Sequence, residues 1–305
     1  MESETDSETT LKELAAWGLP ALREGHTAPA DLVEMRRAVE AAAAVPDGVP
    51  WHRDSIGGIP CAVVEPEHGA VGGSADGAQP PVLVHLHGGG YRLGAPVMWI
   101  AFAHRLARAT GHRVVVPDYR LAPEHPFPAA LHDAAAVWQA LAPEEGDGPV
   151  LSGDSAGGGL AVALALCARS VPVSPPRRLV LFSPWLDLTA ASASFEFNAQ
   201  SDTLFSRESA QAAADGYLQG LAAATQPLAS PQEADPTGLP PVLLFAGTGE
   251  VLLDDAAVFA RRAAGAQVPV ETHLVPDLPH VWPVVVPDDP RSAAAVQAVA
   301  RFVGE

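Results

Sequence analysis

Val150-Leu151-Ser152-Gly153-Asp154-Ser155-Ala156-Gly157-Gly158 joins a short apolar run to a G-x-S-x-G motif, and a helical pattern follows from Leu160 to Arg169. The spacing predicts a strand that turns sharply into a helix with Ser155 at the bend, the arrangement known as a nucleophile elbow. Glycine is needed on both sides because a side chain there would strike the neighbouring strand and helix, while the bend residue itself holds a strained φ/ψ. A serine at that point is exposed and aimed outward.

With 27 glycines in 305 residues, a G-x-S-x-G match arises by chance about 0.1 times in such a chain, so the flanking sequence must carry the reading. Upstream, Pro81-Val82-Leu83-Val84-His85-Leu86 reads as a strand and runs into His87-Gly88-Gly89-Gly90-Tyr91. A chance His-Gly-Gly-Gly is expected only about 0.01 times. Glycine-rich backbone after a strand offers bare N–H groups to a developing negative oxygen, and Ala156, just after the bend serine, offers another. The plain alternative is a glycine loop without chemistry.

A serine hydroxyl is a poor nucleophile at neutral pH, so it requires a base, and the base requires a group that fixes its tautomer. Val242-Leu243-Leu244-Phe245-Ala246 reads as a strand ending in Gly247-Thr248-Gly249-Glu250, and a strand from Val268 to Val275 leads into Pro276-Asp277-Leu278-Pro279-His280. Glu250 and His280 therefore fall at the C-terminal ends of successive strands, the edge where parallel sheets bind ligands. Asp254 stays open as an alternative acid and Asp277 as a third. Asp254 and Asp255 open a helix from Ala256 to Ala264, where capping is their default role. His85 and His87 alternate in a strand with no third ligand at a zinc-like spacing, so both read as structural. His273, inside a strand, reads as structural or surface. Asp118, Tyr119, Arg120 and Glu124 read as an ion-paired scaffold, and Ser152 and Ser183 as strand-end hydroxyls with backbone partners.

Four stretches together, His87-Gly88-Gly89-Gly90, Asp118 to Ala130, Gly153-Asp154-Ser155-Ala156-Gly157-Gly158 and Ser183-Pro184-Trp185-Leu186-Asp187-Leu188, resemble the bacterial hormone-sensitive-lipase family of α/β-hydrolases over roughly residues 49 to 303. The resemblance implies hydrolysis of carboxylic esters, usually of short acyl chains, through an acyl-enzyme, with no metal or organic cofactor. Matched residue by residue, it makes Ser155 the nucleophile, His280 the base, Glu250 the acid, and Gly88, Gly89 and Ala156 the oxyanion donors. The chain departs from the family pattern twice: the acid, commonly aspartate, is Glu250, and His280 stands in Pro-His-Val-Trp instead of the frequent His-Gly-Phe. An amidase, arylformamidase or lactone hydrolase would use the same machinery, and a non-catalytic ligand-binding relative would lack a working base.

Strands at 51–56, 59–64, 82–86, 113–117, 149–152, 178–183, 241–246 and 268–275 alternate, after an initial hairpin around Gly57-Gly58, with helices near 97–110, 128–142, 156–170, 253–265 and 290–303. This predicts an α/β fold, a mostly parallel central sheet flanked by helices. Residues 1–47 read as N-terminal cap helices (stripes Leu11, Leu14, Trp17 and Leu32, Met35, Val39), and 48–305 as the catalytic domain with a cap insertion near 187–230. Phe195, Phe197, Leu204, Phe205 and Tyr217 are candidates to line the pocket, with Trp17, Leu19 and Leu22 opposite. Residues 67–79 read as a surface loop.

At 48% hydrophobic content the chain is long enough for one sizeable core. Its apolar runs are too short to span a membrane, and the acidic start Met1-Glu2-Ser3-Glu4-Thr5-Asp6 is unlike a signal peptide, so the expected location is cytoplasmic. Cys61 and Cys167 read as isolated buried thiols. The net charge of −18 comes from 36 acids against 18 Lys and Arg and disfavours nucleic acid as a partner. A small-molecule ester is the expected partner. The oligomeric state stays open, a homodimer included.

Overall fold

The computed structural model describes residues 18–67, 79–142 and 148–305. Leu11, Leu14 and Trp17 of the N-terminal stripe, and nearly all of the 67–79 loop, lie outside the described residues. Eight strands form one sheet: β1 (Trp51–Ile56), β2 (Ile59–Val64), β3 (Val82–Leu86), β4 (Arg113–Pro117), β5 (Val150–Asp154), β6 (Arg178–Phe182), β7 (Val242–Gly247) and β8 (Val270–Val275). Their order is β1-β2-β4-β3-β5-β6-β7-β8. The β1–β2 and β2–β4 pairs are antiparallel and all others parallel. The hairpin pairs Ile56 with Ile59 around Gly57-Gly58 as expected. No helix among the described residues is long and apolar enough to cross a membrane.

The helices are α1 (Ala30–Ala41), α2 (Ile100–Thr110), α3 (Ala129–Leu141), α4 (Ala156–Ala168), the single turn α5 (Ser194–Phe197), α6 (Arg207–Leu218), α7 (Leu253–Gly265), the single turn α8 (Trp282–Val285) and α9 (Pro290–Gly304). Period-2 alternation in the strands sorts them to two faces. Leu151, Leu179, Leu181, Val242 and Leu244 pack with α3, α4 and α7. Val150, Val180, Phe182, Leu243 and Phe245, the alternate positions, pack with α2 and α9. Helix α4 is buried along its whole length, which explains why its alanine-rich sequence carries no polar stripe.

Helix α1 departs from its sequence reading. None of its residues is buried, and Met35 is 47% exposed. Its anchor is polar: Arg36 pairs with Glu124 at 2.6 Å and also donates to the carbonyl oxygens of Ala122 and Arg92. Glu124 thus joins the scaffold, as does Asp133, which takes Arg120 at 2.7 Å.

Candidate active site

The elbow forms where β5 meets α4, and its two glycines have steric causes. A Cβ on Gly153 would lie 2.2 Å from the Gly157 carbonyl oxygen, and one on Gly157 would lie 2.0 Å from that of Leu86. Ser155 sits at φ 51° and ψ −122°. Its N–H donates to the Phe182 carbonyl at 2.9 Å, and its own carbonyl accepts from Gly158 and Trp185. Strain at the bend is thus held by bonds to the adjacent strand and to the chain beyond it.

Parallel pairing brings the C-terminal ends of β5, β7 and β8 to one edge of the sheet, so residues 125 and 30 positions apart in sequence meet. His280 Nε2 lies 2.9 Å from Ser155 Oγ, and His280 Nδ1 lies 2.9 Å from Glu250 Oε2. A carboxylate only accepts, so Nδ1 carries the proton toward Glu250 and Nε2 is left to accept from the serine hydroxyl. Glu250 is fully buried. Its Oε1 accepts the Gly247 N–H at 3.1 Å, and the Ser183 hydroxyl donates to the carboxylate as well. Burial pushes the Glu250 carboxyl above its ordinary range, against the opposing pull of His280. For His280, burial works to lower the imidazole, but the hydrogen bond and charge of Glu250 outweigh it with help from Asp202 and Asp154, and the net direction is up.

The structure separates the alternative acids from the imidazole. Asp254 accepts the Ser194 N–H at 2.9 Å, and Asp255 accepts those of Leu186 and Asp187 at 2.7 and 2.8 Å. Neither caps its own helix, as their position had suggested; both fasten the segment after β6 to α7. Burial pushes the Asp255 carboxyl up to about 8, against the two N–H groups. Asp277 is exposed on the loop before His280.

The glycine loop requires a correction. The Gly88 N–H donates to Asp154 Oδ1 at 3.0 Å, so a buried carboxylate already holds the group that the family pattern had assigned to the oxyanion. Gly89, Gly90 and Ser155 line one cavity, and the N–H groups of Gly89, Gly90 and Ala156 take no hydrogen-bond partner among the described residues. The loop is braced from beneath. The ring of His87 stacks on Tyr119 at 4.2 Å and lies 4.8 Å from Trp99. His87 Nδ1 donates to the Gly88 carbonyl at 2.8 Å, and Tyr119 Oη donates to the His87 carbonyl at 2.6 Å. Burial lowers the His87 pKa to about 4, so this brace is uncharged at neutral pH. His85 is structural too, with Nε2 3.1 Å from Asp154 Oδ1 and Nδ1 3.0 Å from Ser152 Oγ. The partner of Ser152 is therefore a side chain, where backbone had been expected.

Ser183 matters more than a strand-end hydroxyl. Its Oγ accepts the Val281 N–H at 3.0 Å while the hydroxyl reaches Glu250, so it ties the loop carrying the imidazole to the carboxylate that orients it. The chain gave a signal: Ser183 follows β6 directly, on the same edge as Ser155 and Glu250. Asp154, the variable residue of the elbow, was likewise missed.

The cavity over Ser155 and His280 measures about 310 Å³, with walls that include Leu93, Met98, Trp99, Leu204, Phe205, Val284 and Val285. Leu204 and Phe205 line it as expected, and the Phe205 ring stacks 5.9 Å from the His280 ring. The other candidates do not line it. Tyr217 stacks on Tyr91 at 3.8 Å, Phe195 is buried, and Phe197 is 60% exposed. Leu19 packs on the core and Leu22 is exposed. Cys61 and Cys167 are free and buried, with burial raising both thiols.

A family described as alpha/beta hydrolase fold matches residues 83–284. An acetyl-hydrolase of Streptomyces hygroscopicus and an esterase of Acinetobacter venetianus are each 38% identical over 224 residues, covering 72% of this chain and 74% of theirs. The crystal structure of an esterase from the bacterial hormone-sensitive lipase family superposes with a TM-score of 0.81 at 33% identity, covering 98% of this chain and 97% of that one.

Proposed function

Because this chain belongs to the bacterial hormone-sensitive-lipase family of α/β-hydrolases, we propose that it hydrolyses carboxylic esters by passing the acyl group first to Ser155 and then to water. The observation that carries the reading is the relay from Ser155 Oγ through His280 to Glu250, with both hydrogen bonds at 2.9 Å. In this reading the ester carbonyl enters with its oxygen toward the N–H groups of Gly89, Gly90 and Ala156. Ser155 attacks the carbonyl carbon as His280 Nε2 takes its proton, and Glu250 stabilises the imidazolium. The proton then passes to the departing alcohol, and water repeats the attack on the acyl-enzyme with His280 again as base.

The cavity volume of about 310 Å³ falls at the small end of the usual ~300–1,000 Å³ for ligand sites, which favours short acyl chains. Residues 187–230, with α5, α6, Leu204 and Phe205, act as the cap over this cavity, and α1 belongs to the N-terminal part of it. A cytoplasmic location and action as a monomer or homodimer complete the proposal.

Ser155→Ala is the direct test. The variant is expected to keep the wild-type melting temperature, to lose at least a thousandfold in kcat on p-nitrophenyl acetate and butyrate, and to resist labelling by a fluorophosphonate. Ordinary turnover by that variant refutes the assignment.

A further inference from the structure

The cavity over Ser155 is apolar apart from its catalytic floor and two polar wall residues, Arg92 and Ser209. Arg92 forms part of its wall, two residues beyond Gly90. A Cβ built on Gly90 would lie 3.9 Å from both Cγ and Nε of Arg92, so the guanidinium stem runs beside the glycines whose N–H groups face the reacting oxygen. One nitrogen, Nη2, donates to Ser209 Oγ at 3.0 Å. Among the described residues, no carboxylate pairs with this guanidinium.

Several other arginines do have an acidic partner. Arg36 is paired with Glu124, Arg120 with Asp133, and Arg113 with Glu65. Asp154, the one acid among the residues that line the cavity, is already engaged by the Gly88 N–H and His85. On α6, Ser209 is the acceptor for Arg92, and the Ala213 methyl lies 3.4 Å from where a Cβ on Gly90 would stand. Burial lowers the Arg92 pKa, with no charged neighbour contributing. A cation taken partly out of water with a single neutral acceptor has lost hydration that nothing replaces. A guanidinium offers five donors in a planar fork matched to a carboxylate, and here most of them remain for a ligand.

From this geometry we infer that Arg92 is an anion-recognition subsite, and that the preferred substrates are esters carrying a free carboxylate on the acyl or the alcohol side. The inference rests on the hydrolytic reading above. It also runs against the protein's long-range field, since the net charge is −18; a cation within the cavity counters that repulsion at short range, where it decides selection.

Two pairs of size-matched, chemically stable esters separate the two sides: monoethyl glutarate against ethyl hexanoate, and 4-acetoxybutyrate against pentyl acetate, followed by titration of released acid. In at least one pair the wild type is expected to show the higher kcat/KM for the carboxylate ester, and the responding pair identifies the side that Arg92 faces. Arg92→Met should then lower the charged-to-neutral ratio about tenfold or more, and Arg92→Lys, which keeps the charge without the fork, should fall between. Ser209→Ala, which removes the strut and leaves the charge, should retain the preference. The inference is overturned if the wild type prefers the neutral ester in both pairs, or if Arg92→Met and Arg92→Lys lower both members of each pair by equal factors. Should the wild type turn over none of the four esters, it is the hydrolytic reading that has failed.

Discussion

Replacing Glu250 by Gln tests the acid more sharply than any other single change, because it alters charge and hydrogen-bond pattern while keeping shape. Glu250 is fully buried, and its Oε2 lies 2.9 Å from His280 Nδ1. When His280 takes the serine proton, a cation and an anion face each other at that distance. With an effective dielectric of ~20, unit charges 2.9 Å apart attract by about 6 kcal/mol, which is about four decades in rate at 1.36 kcal/mol each. An amide also brings an NH₂ group into a pocket where Gly247 N–H, the Ser183 hydroxyl and His280 Nδ1–H all donate. Turning the NH₂ toward the imidazole would force the proton onto Nε2, where it blocks acceptance from Ser155. The expected kcat is therefore lower by about 10³ to 10⁴, with KM little changed. The pH profile supplies a second readout. In the proposed mechanism His280 acts as base only when neutral, so kcat/KM should rise with pH through its pKa, which Glu250 holds above the ordinary 6.5. Without the carboxylate, burial prevails, and the acidic limb should move to lower pH. A p-nitrophenyl acetate assay across pH measures both. Glu250→Gln activity within tenfold of wild type, with Asp254→Asn a thousandfold down, would refute the reasoning.

Three further outcomes follow from neighbouring contacts. Ser183→Ala removes both the acceptor for the Val281 N–H and a donor to Glu250, so kcat should fall about tenfold to a hundredfold, with little change in KM because Ser183 does not line the cavity; an unchanged kcat would deny it a positioning role. Asp255→Asn keeps an oxygen for the Leu186 and Asp187 N–H groups and removes a carboxyl whose pKa stands at about 8. A carboxyl raised on folding contributes stability below its unfolded pKa and loses it as pH rises toward 8, so the melting temperature of the variant minus that of wild type should grow between pH 4 and 8; a constant difference would count against this. Val281→Gly removes a cavity-lining side chain held at φ 55°, and a panel of acyl chain lengths should show the optimum moving to longer chains.

The Gly, Pro and turn residues that bound β1 to β4 made these strands readable to the residue, and the hairpin with them. The relay was readable for a related reason: Ser155, Glu250 and His280 each stand just past a recognisable strand, and parallel pairing leaves those ends only one edge to share. What escaped the sequence were choices between partners. Asp254 and Asp255 sit where helix caps sit, but the segment after β6 brings its own unpaired N–H groups against them. Gly88 and Gly90 are interchangeable as letters; Asp154, projecting from the next strand, takes the first and leaves the others free. The aromatic residues of 187–230 look alike in sequence, and only packing separates Phe205 over the imidazole from Tyr217 stacked on Tyr91.

Backbone strain links these details. Ser155, Ser183 and Val281 hold φ of 51°, 46° and 55°, a left-handed region that β-branched residues rarely enter. Each such residue costs of order 1–3 kcal/mol, and all three lie within one residue of the relay or in direct contact with it. Each is fastened by its own N–H: Ser155 to Phe182, Ser183 to Phe245, and Val281 to the hydroxyl of Ser183. Phe182 and Phe245 stack at 5.1 Å within the sheet, and fully buried Trp282 packs edge-on to Phe245. The strained residues are thus pinned to a fully buried aromatic cluster, which explains how valine replaces the family's frequent glycine after the histidine. The chain bends there because Trp282 and Ser183 hold both ends of the bend, and the isopropyl group that glycine lacks becomes part of the cavity wall.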